Sequence, residues 1–145
     1  MTDIREYPPR PIVGLGMIVL KPDAVLLVQR GKPPNLGLWS LPGGAQELGE
    51  TCEYGARREL AEETGLHVGE LTLAACIDSI RADELGRLQY HYTIIDFAAR
   101  WQGGEPTAGG DAMAARFVKF DELDAYALTP AVYDVLATAR RLLTP

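Results

Sequence analysis

A chain of 145 residues with 47% hydrophobic and 23% charged side chains is ordinary for a soluble globular protein and fits one domain with a sizeable core. Fourteen basic against 20 acidic side chains leave a net charge of −6, which argues against a grip on polymeric nucleic acid through its phosphates and leaves small phosphorylated ligands open. The start of the chain lacks a basic leader followed by an apolar run, and no run nears the roughly 18 apolar residues of a membrane span, so a cytoplasmic protein with no membrane partner is expected.

Residues 1–10 read as an extended N-terminal arm around Tyr7-Pro8-Pro9-Arg10, with the domain running from 11 to 145. Residues 11–21 alternate loosely and end in a Lys-Pro-Asp turn before the apolar run 24–30 (AVLLVQR), which predicts a β-hairpin. A loop over 31–37 then leads into a short strand, 38–41, and a glycine turn at Leu41-Pro42-Gly43-Gly44. Thr51 as N-cap and Gly65 just past the end bound a helix from about residue 52 to 64. Residues 70–80 and 88–101 read as long strands around the polar turn 81–87, and the glycine-rich loop 103–111 is too long for a tight hairpin. Another strand follows from Ala114, then a helical turn from Asp121, then an amphipathic helix capped by Thr129 with Pro130 at its first position. This order predicts an α/β (α+β) fold, an α/β/α sandwich with a mixed β-sheet. Cys52 and Cys76 have no C-x-x-C partner or adjacent His and are expected to be buried thiols.

The most informative stretch is 44–66, GAQELGETCEYGARRELAEETGL. At roughly 100° per residue, Glu62 falls near −60° and Glu63 near +40° from Glu59, so three carboxylates share one side of the helix. No basic residue stands among them on that stripe, whereas Cys52, Gly55, Ala56 and Leu66 do, so the acids lie on the small, apolar face that ought to pack inward. Clustered, half-buried carboxylates are costly unless a cation joins them, and hard oxygen ligands suit magnesium or manganese rather than zinc. The joint pattern G-x5-E-x7-R-E-U-x-E-E-x-G-U, with U a bulky aliphatic, has a chance probability of roughly 10⁻¹⁰ per start at ordinary residue frequencies.

That pattern resembles the Nudix box, with Gly44, Glu50, Arg58, Glu59, Leu60, Glu62, Glu63, Gly65 and Leu66 filling every specified position. The flanking strands 24–30, 37–44 and 114–123 look like those of the same family, and the fold it implies is the sandwich already expected. The resemblance implies hydrolysis of a nucleoside diphosphate linked to another group, with water attacking one phosphorus of a small nucleotide substrate. Glu59, Glu62 and Glu63 would hold Mg2+, or Mn2+, with the Gly43 carbonyl as a further ligand. Arg58 would orient a carboxylate, Glu50 stands at the mouth of the helix, and Glu47 would bind Arg58 or metal.

The family places its general base variably; Glu59 is the first candidate, and Asp111 in the glycine loop is an acid that could reach the metal. Arg30 is a candidate phosphate contact, and Trp39, Tyr90 and Tyr92 are candidate base-stacking residues, while His91 falls on the opposite strand face. Overall similarity favours ADP-ribose as substrate, although no proline lies between Pro42 and Pro106 where the ADP-ribose group carries one. Nucleoside triphosphates, including oxidised ones, and a nucleotide-sensing module without turnover are the alternatives. Relatives are frequently dimers, so a homodimer is one expected assembly.

Overall fold

The computed structural model describes residues 5–32 and 35–144. The first four residues of the expected arm, and positions 33 and 34 of the loop before the short strand, lie outside the described residues.

The sheet is mixed, as expected. Strand β1 (Ile12–Leu20) runs parallel to β6 (Leu88–Arg100) over its whole length, from Ile12 opposite Tyr92 to Leu20 opposite Arg100. Its other edge is shared. Near its end Leu20 pairs with Val25 of β2 (Ala24–Arg30), while Gly14 to Gly16 pair antiparallel with β4 (Gly43–Ala45). The predicted hairpin therefore forms, closed by Lys21 N–H donating to the Ala24 carbonyl at 2.9 Å, but its strands diverge beyond the turn. Strand β3 (Trp39–Ser40) and β7 (Ala112–Lys119) both pair with β2, and β5 (Thr72–Ala82) forms an antiparallel edge beside β6.

Burial on both faces explains why β1 alternates only loosely in sequence. Leu15, Met17 and Val19 join Leu26, Phe97 and Ala99 under helix α1 (Cys52–Thr64), against its Ala56 and Leu60. Ile18 and Leu20 face the other way, with Val25, Leu27 and Ala98, against Val135, Leu136 and Ala139 of helix α2 (Pro130–Leu143). Two helical layers thus sandwich one sheet. A 3₁₀ helix, Phe120–Tyr126, links β7 to α2 and buries Leu123 in the second layer.

Several expectations need correction. The two glycines are not a turn: Gly43 and Gly44 are extended residues of β4, and the need for glycine is close approach, not a left-handed backbone. A Cβ on Gly43 would stand 2.0 Å from the Leu15 carbonyl oxygen, and one on Gly44 2.5 Å from the Glu59 carboxyl carbon. Cys76 is exposed, since edge strand β5 is covered by α2 on one face only and a bulge between Leu73 and Ala75 shifts its alternation; Cys52 is half-buried. Thr129 occupies the N-cap position without a capping side-chain bond. The arm bends at Tyr7 instead of running straight.

Candidate active site

Helix α1 begins and ends where its caps dictate. Thr51 accepts from Tyr54 N–H at its N-terminus, and Gly65 takes the left-handed conformation at φ 72° and donates to the Ala61 carbonyl. Between them Gly55 and Ala56 are small enough to bring the helix against Leu15 of β1, which sets the acidic face against β4. Glu63 is buried at 8% exposure and accepts a 2.7 Å bond from Gly43 N–H. In a strand the N–H and C=O of one residue point to the same side, so the Gly43 carbonyl shares the side of Glu63.

Glu59 is largely enclosed against Gly44, whereas Glu62 stands at the rim with about half its side chain exposed. A small cavity of about 130 Å3 collects Glu59, Glu62, Glu63, Gly43, Arg30 and Asp111. The glycine loop before β7 thus delivers Asp111 to the helix acids, and the end of β2 delivers Arg30. The loop's own anchor is the helix terminus: Thr107 N–H donates to Thr64 O, and Gly109 N–H to Glu63 O.

The expectation that nothing basic sits among the acids fails at Arg58. Its guanidinium flanks the stripe and reaches across it, bonding Glu50 through Nε at 2.6 Å and Nη2 at 2.8 Å, Glu59 through Nη1 at 2.8 Å, and Glu62 at 3.4 Å. Glu47 lies within 3.8 Å of the same guanidinium and donates its N–H to Glu50. The wheel angle alone missed this because an arginine's length exceeds the angular separation. Arg58 and the Glu47 N–H hold the Glu50 carboxyl down to about 2. Burial pushes Glu59 up despite Arg58, and burial with repulsion from Glu59 and Asp111 pushes Glu63 up to about 7. Lys32, 2.9 Å away, keeps Asp111 low.

Among the described residues no three acids, histidines or cysteines stand together in ligating geometry. Their partners explain it: Glu59 is engaged by Arg58, Glu63 by Gly43 N–H and Asp111 by Lys32. The donor set nonetheless fits a hard divalent cation in kind, because it is all oxygen and largely carboxylate.

The candidate stacking residues separate. Trp39 packs edge-on against Tyr126 at 5.0 Å with Arg116 over its ring, so it belongs to the α2 layer and not to a base platform. Tyr90 and Tyr92 line a cavity of about 250 Å3 together with Arg30, and His91 pairs away from it, across from Ile80. A further acid escaped the sequence reading. Asp96 of β6, at 5% exposure, lines a separate cavity of about 420 Å3 on the α2 side of Gly43 and Gly44. Gly16 makes the room, since a Cβ there would stand 2.0 Å from Asp96 Oδ1, and burial alone raises the carboxyl to about 6. An acid inside the apolar run YTIIDFAA was the available signal.

Comparison with known proteins decides the family. The family model described as the NUDIX domain matches residues 10–139. The chain belongs to the Nudix family. Its relatives include an ADP-ribose pyrophosphatase of Methanocaldococcus jannaschii, 37% identical over 78% of this chain, and an oxidized purine nucleoside triphosphate hydrolase of Danio rerio, 34% identical over 74%. The matches span 64% and 65% of those relatives' own lengths, just under two thirds. Among solved structures, a MutT Nudix hydrolase from Burkholderia pseudomallei superposes with a TM-score of 0.77 at 30% identity, covering 89% of this chain and 98% of its own. The Nudix box of this chain is thus the strip from β4 through α1, and three of its acids, Glu59, Glu62 and Glu63, line the small cavity.

Proposed function

We propose that this Nudix protein is a divalent-cation-dependent pyrophosphohydrolase of small nucleotides, with ADP-ribose the favoured substrate. The observation that carries this reading is the convergence of Glu59, Glu62, Glu63 and Asp111 on one cavity that also holds Arg30. Pyrophosphate repels nucleophiles, so its hydrolysis needs positive charge beside the phosphates and a base beside the water. Magnesium or manganese held by Glu59, Glu62, Glu63 and the Gly43 carbonyl would withdraw that charge and acidify water.

The chain's own residues supply the rest. Glu59 is the proposed base, a largely enclosed carboxylate that Arg58 holds in orientation at 2.8 Å on the wall of the same cavity. Arg58 fixes Glu59 and Glu50 relative to each other, and Glu47 closes the ring of acids around it. Arg30, which borders Glu63 and Asp111 from the end of β2, is the proposed phosphate contact. Water oxygen bonds to one phosphorus, the P–O bond to the bridging oxygen breaks, and ADP-ribose yields AMP and ribose 5-phosphate.

A second reading has its own observation. The Asp96 cavity, bounded by Ser40, Ile77, Ile94 and Val132, offers a buried carboxylate to the adjacent N1–H and N2–H donors of a guanine-type base, a pair that the adenine of ADP-ribose lacks, which favours nucleoside triphosphates, oxidised ones included. The name of the Danio rerio relative agrees with this, as that of the archaeal relative agrees with ADP-ribose. Phosphate release separates the readings, coupled to alkaline phosphatase for ADP-ribose, NADH and diadenosine polyphosphates and to inorganic pyrophosphatase for nucleoside triphosphates. Absence of turnover across this panel, with one compound still raising the melting temperature, would make the protein a nucleotide-binding module instead.

A further inference from the structure

The Nudix match begins at residue 10, yet the segment just ahead of it is firmly anchored. Tyr7 Oη donates to Asp83 Oδ2 at 2.7 Å, and Tyr7 N–H donates to the Gln89 carbonyl at 2.7 Å. Gln89 Nε2 returns a 2.7 Å bond to Glu6, and the Arg87 guanidinium sits 5.1 Å from the Tyr7 ring while its Nε bonds Asp83 at 2.8 Å. Asp83 also closes the β5–β6 turn by accepting from Leu85 and Arg87 N–H. Tyr7 itself is left-handed at φ 51°, a conformation costly for an aromatic residue. These contacts therefore hold a bend that the backbone alone would not keep.

What the bend delivers is Arg5. It lines the small cavity of Glu59, Glu62, Glu63 and Asp111, the adjoining cleft of about 1280 Å3, and the cavity of Tyr90 and Tyr92. Arg30 lines the same three spaces, and both guanidiniums help to hold the Asp111 carboxyl low. Two arginines, one from β2 and one from the arm, thus border the acids. A rim of acids alone repels a polyanion, and a guanidinium's planar fork matches phosphate oxygens.

We propose that Arg5, held in place by the Tyr7–Asp83 latch, is a phosphate-binding residue that works with Arg30 to clamp the diphosphate of a nucleotide against the acidic cavity. This rests on the reading of that cavity as a pyrophosphate site. Tyr7 and Asp83 are positioning residues in this scheme, since they act through Arg5.

The test is calorimetric titration of the full chain with α,β-methylene-ADP, a diphosphate that is not hydrolysed, in magnesium buffer. Arg5→Gln, Arg5→Lys and Tyr7→Phe are compared with wild type, beside steady-state kinetics and melting temperatures. Arg5→Gln is expected to raise Kd roughly tenfold and KM alike with kcat within about twofold, the pattern of lost uniform binding. Arg5→Lys recovers part of the affinity, and Tyr7→Phe, which keeps the ring but frees the latch, weakens binding by about threefold. An unchanged Kd in Arg5→Gln overturns the proposal, as does a lower melting temperature at unchanged Kd, which would make Arg5 a structural counter-ion. Hydrolysis by the wild type with no effect of Arg5→Gln on Kd or KM sinks this inference alone. Weakened binding in Arg5→Gln with no hydrolysis by any form leaves it standing and sinks the hydrolase reading.

Discussion

Arg58 grips Glu50 through two parallel contacts, Nε to Oε2 at 2.6 Å and Nη2 to Oε1 at 2.8 Å. The same guanidinium donates to Glu59 and to the Ala45 carbonyl, so one side chain ties together the loop before α1, strand β4 and the acidic face. A lysine has charge but no fork. Arg58→Lys is expected to lower folding stability by roughly 1–2 kcal/mol and to cut turnover well beyond what that loss explains, because Glu59 loses its fixed orientation. Arg58→Ala leaves half-buried carboxylates facing one another and is expected to cost roughly 3 kcal/mol. Urea unfolding and turnover of the three proteins decide this; identical urea midpoints would show that the fork holds nothing.

The same pair sets an acid limb in the stability profile. Glu50 in the folded protein titrates at about 2 against an ordinary value of 4.5, chiefly because of Arg58. Its contribution is therefore complete above about pH 4.5 and is lost as the pH falls toward 2. Glu50→Gln is expected to flatten the fall in melting temperature between pH 5 and pH 2, as followed by circular dichroism. A variant whose acid limb tracks the wild type would assign that limb to other carboxylates.

Gly43 and Gly44 separate stability from chemistry. A methyl on Gly43 would collide with the Leu15 carbonyl, which is backbone in the centre of the sheet and has nowhere to go. A methyl on Gly44 would meet the end of the Glu59 side chain, which can swing away. Gly43→Ala is thus expected to destabilise by more than about 2 kcal/mol, whereas Gly44→Ala keeps most of the stability and loses turnover. Paired melting and activity measurements show it, and the reverse pattern would mean that the glycines serve some other need.

These glycines also mark where sequence reading stopped. Helix α1 was legible to its end residues, since Thr51 and Gly65 act through local backbone chemistry that depends on nothing distant. The acids, with Arg30 and Asp111 beside them, were recognisable from spacing and family pattern, and one cavity brings them together. Gly43-Gly44 carried a turn signal, but what demands glycine there is the proximity of Leu15 and Glu59, which only tertiary packing creates. The reach of Arg58 across the acidic stripe depended on side-chain length, which a helical wheel ignores. The Tyr7 latch joins residues 76 positions apart, with no local signal at either end.

Burial and mutual repulsion raise Glu63, and a divalent cation would relieve both. Adding magnesium or manganese to chelator-treated protein is expected to raise the melting temperature, by an amount equivalent to roughly 2.7 kcal/mol at a hundredfold excess over Kd. Glu63→Gln keeps an oxygen for the Gly43 N–H but drops the charge, so its metal-free form is expected to melt higher than wild type and to gain less from the metal. Glu62→Gln, at the exposed rim, is expected to change the metal-free melt little while also losing turnover. Wild-type turnover in both variants would sink the assignment of these acids as metal ligands.

Asp96 gives the opposite pH signature to Glu50. Its carboxyl is buried in the cavity beside Gly16, and among the described residues no hydrogen bond or ion pair offsets that burial. The folded value of about 6 lies above the ordinary 3.8, so the folded state holds a proton that the unfolded state releases. The contribution of this group is then complete below about pH 4 and is lost as the pH rises toward 6, by an amount on the order of 2–3 kcal/mol for a shift of this size. Asp96→Asn keeps the shape and removes the charge, so it is expected to raise the melting temperature at pH 7 and 8 and leave it nearly unchanged at pH 4. Should the cavity read the N1–H and N2–H donors of a guanine-type base, the same variant would raise KM for guanine nucleoside triphosphates and leave ADP-ribose kinetics unaltered. Melting curves from pH 4 to 8 with both substrates measured at pH 7.5 separate the two roles. A variant no more stable than wild type at pH 8 would mean that the carboxylate is solvated through the cavity and carries no burial cost.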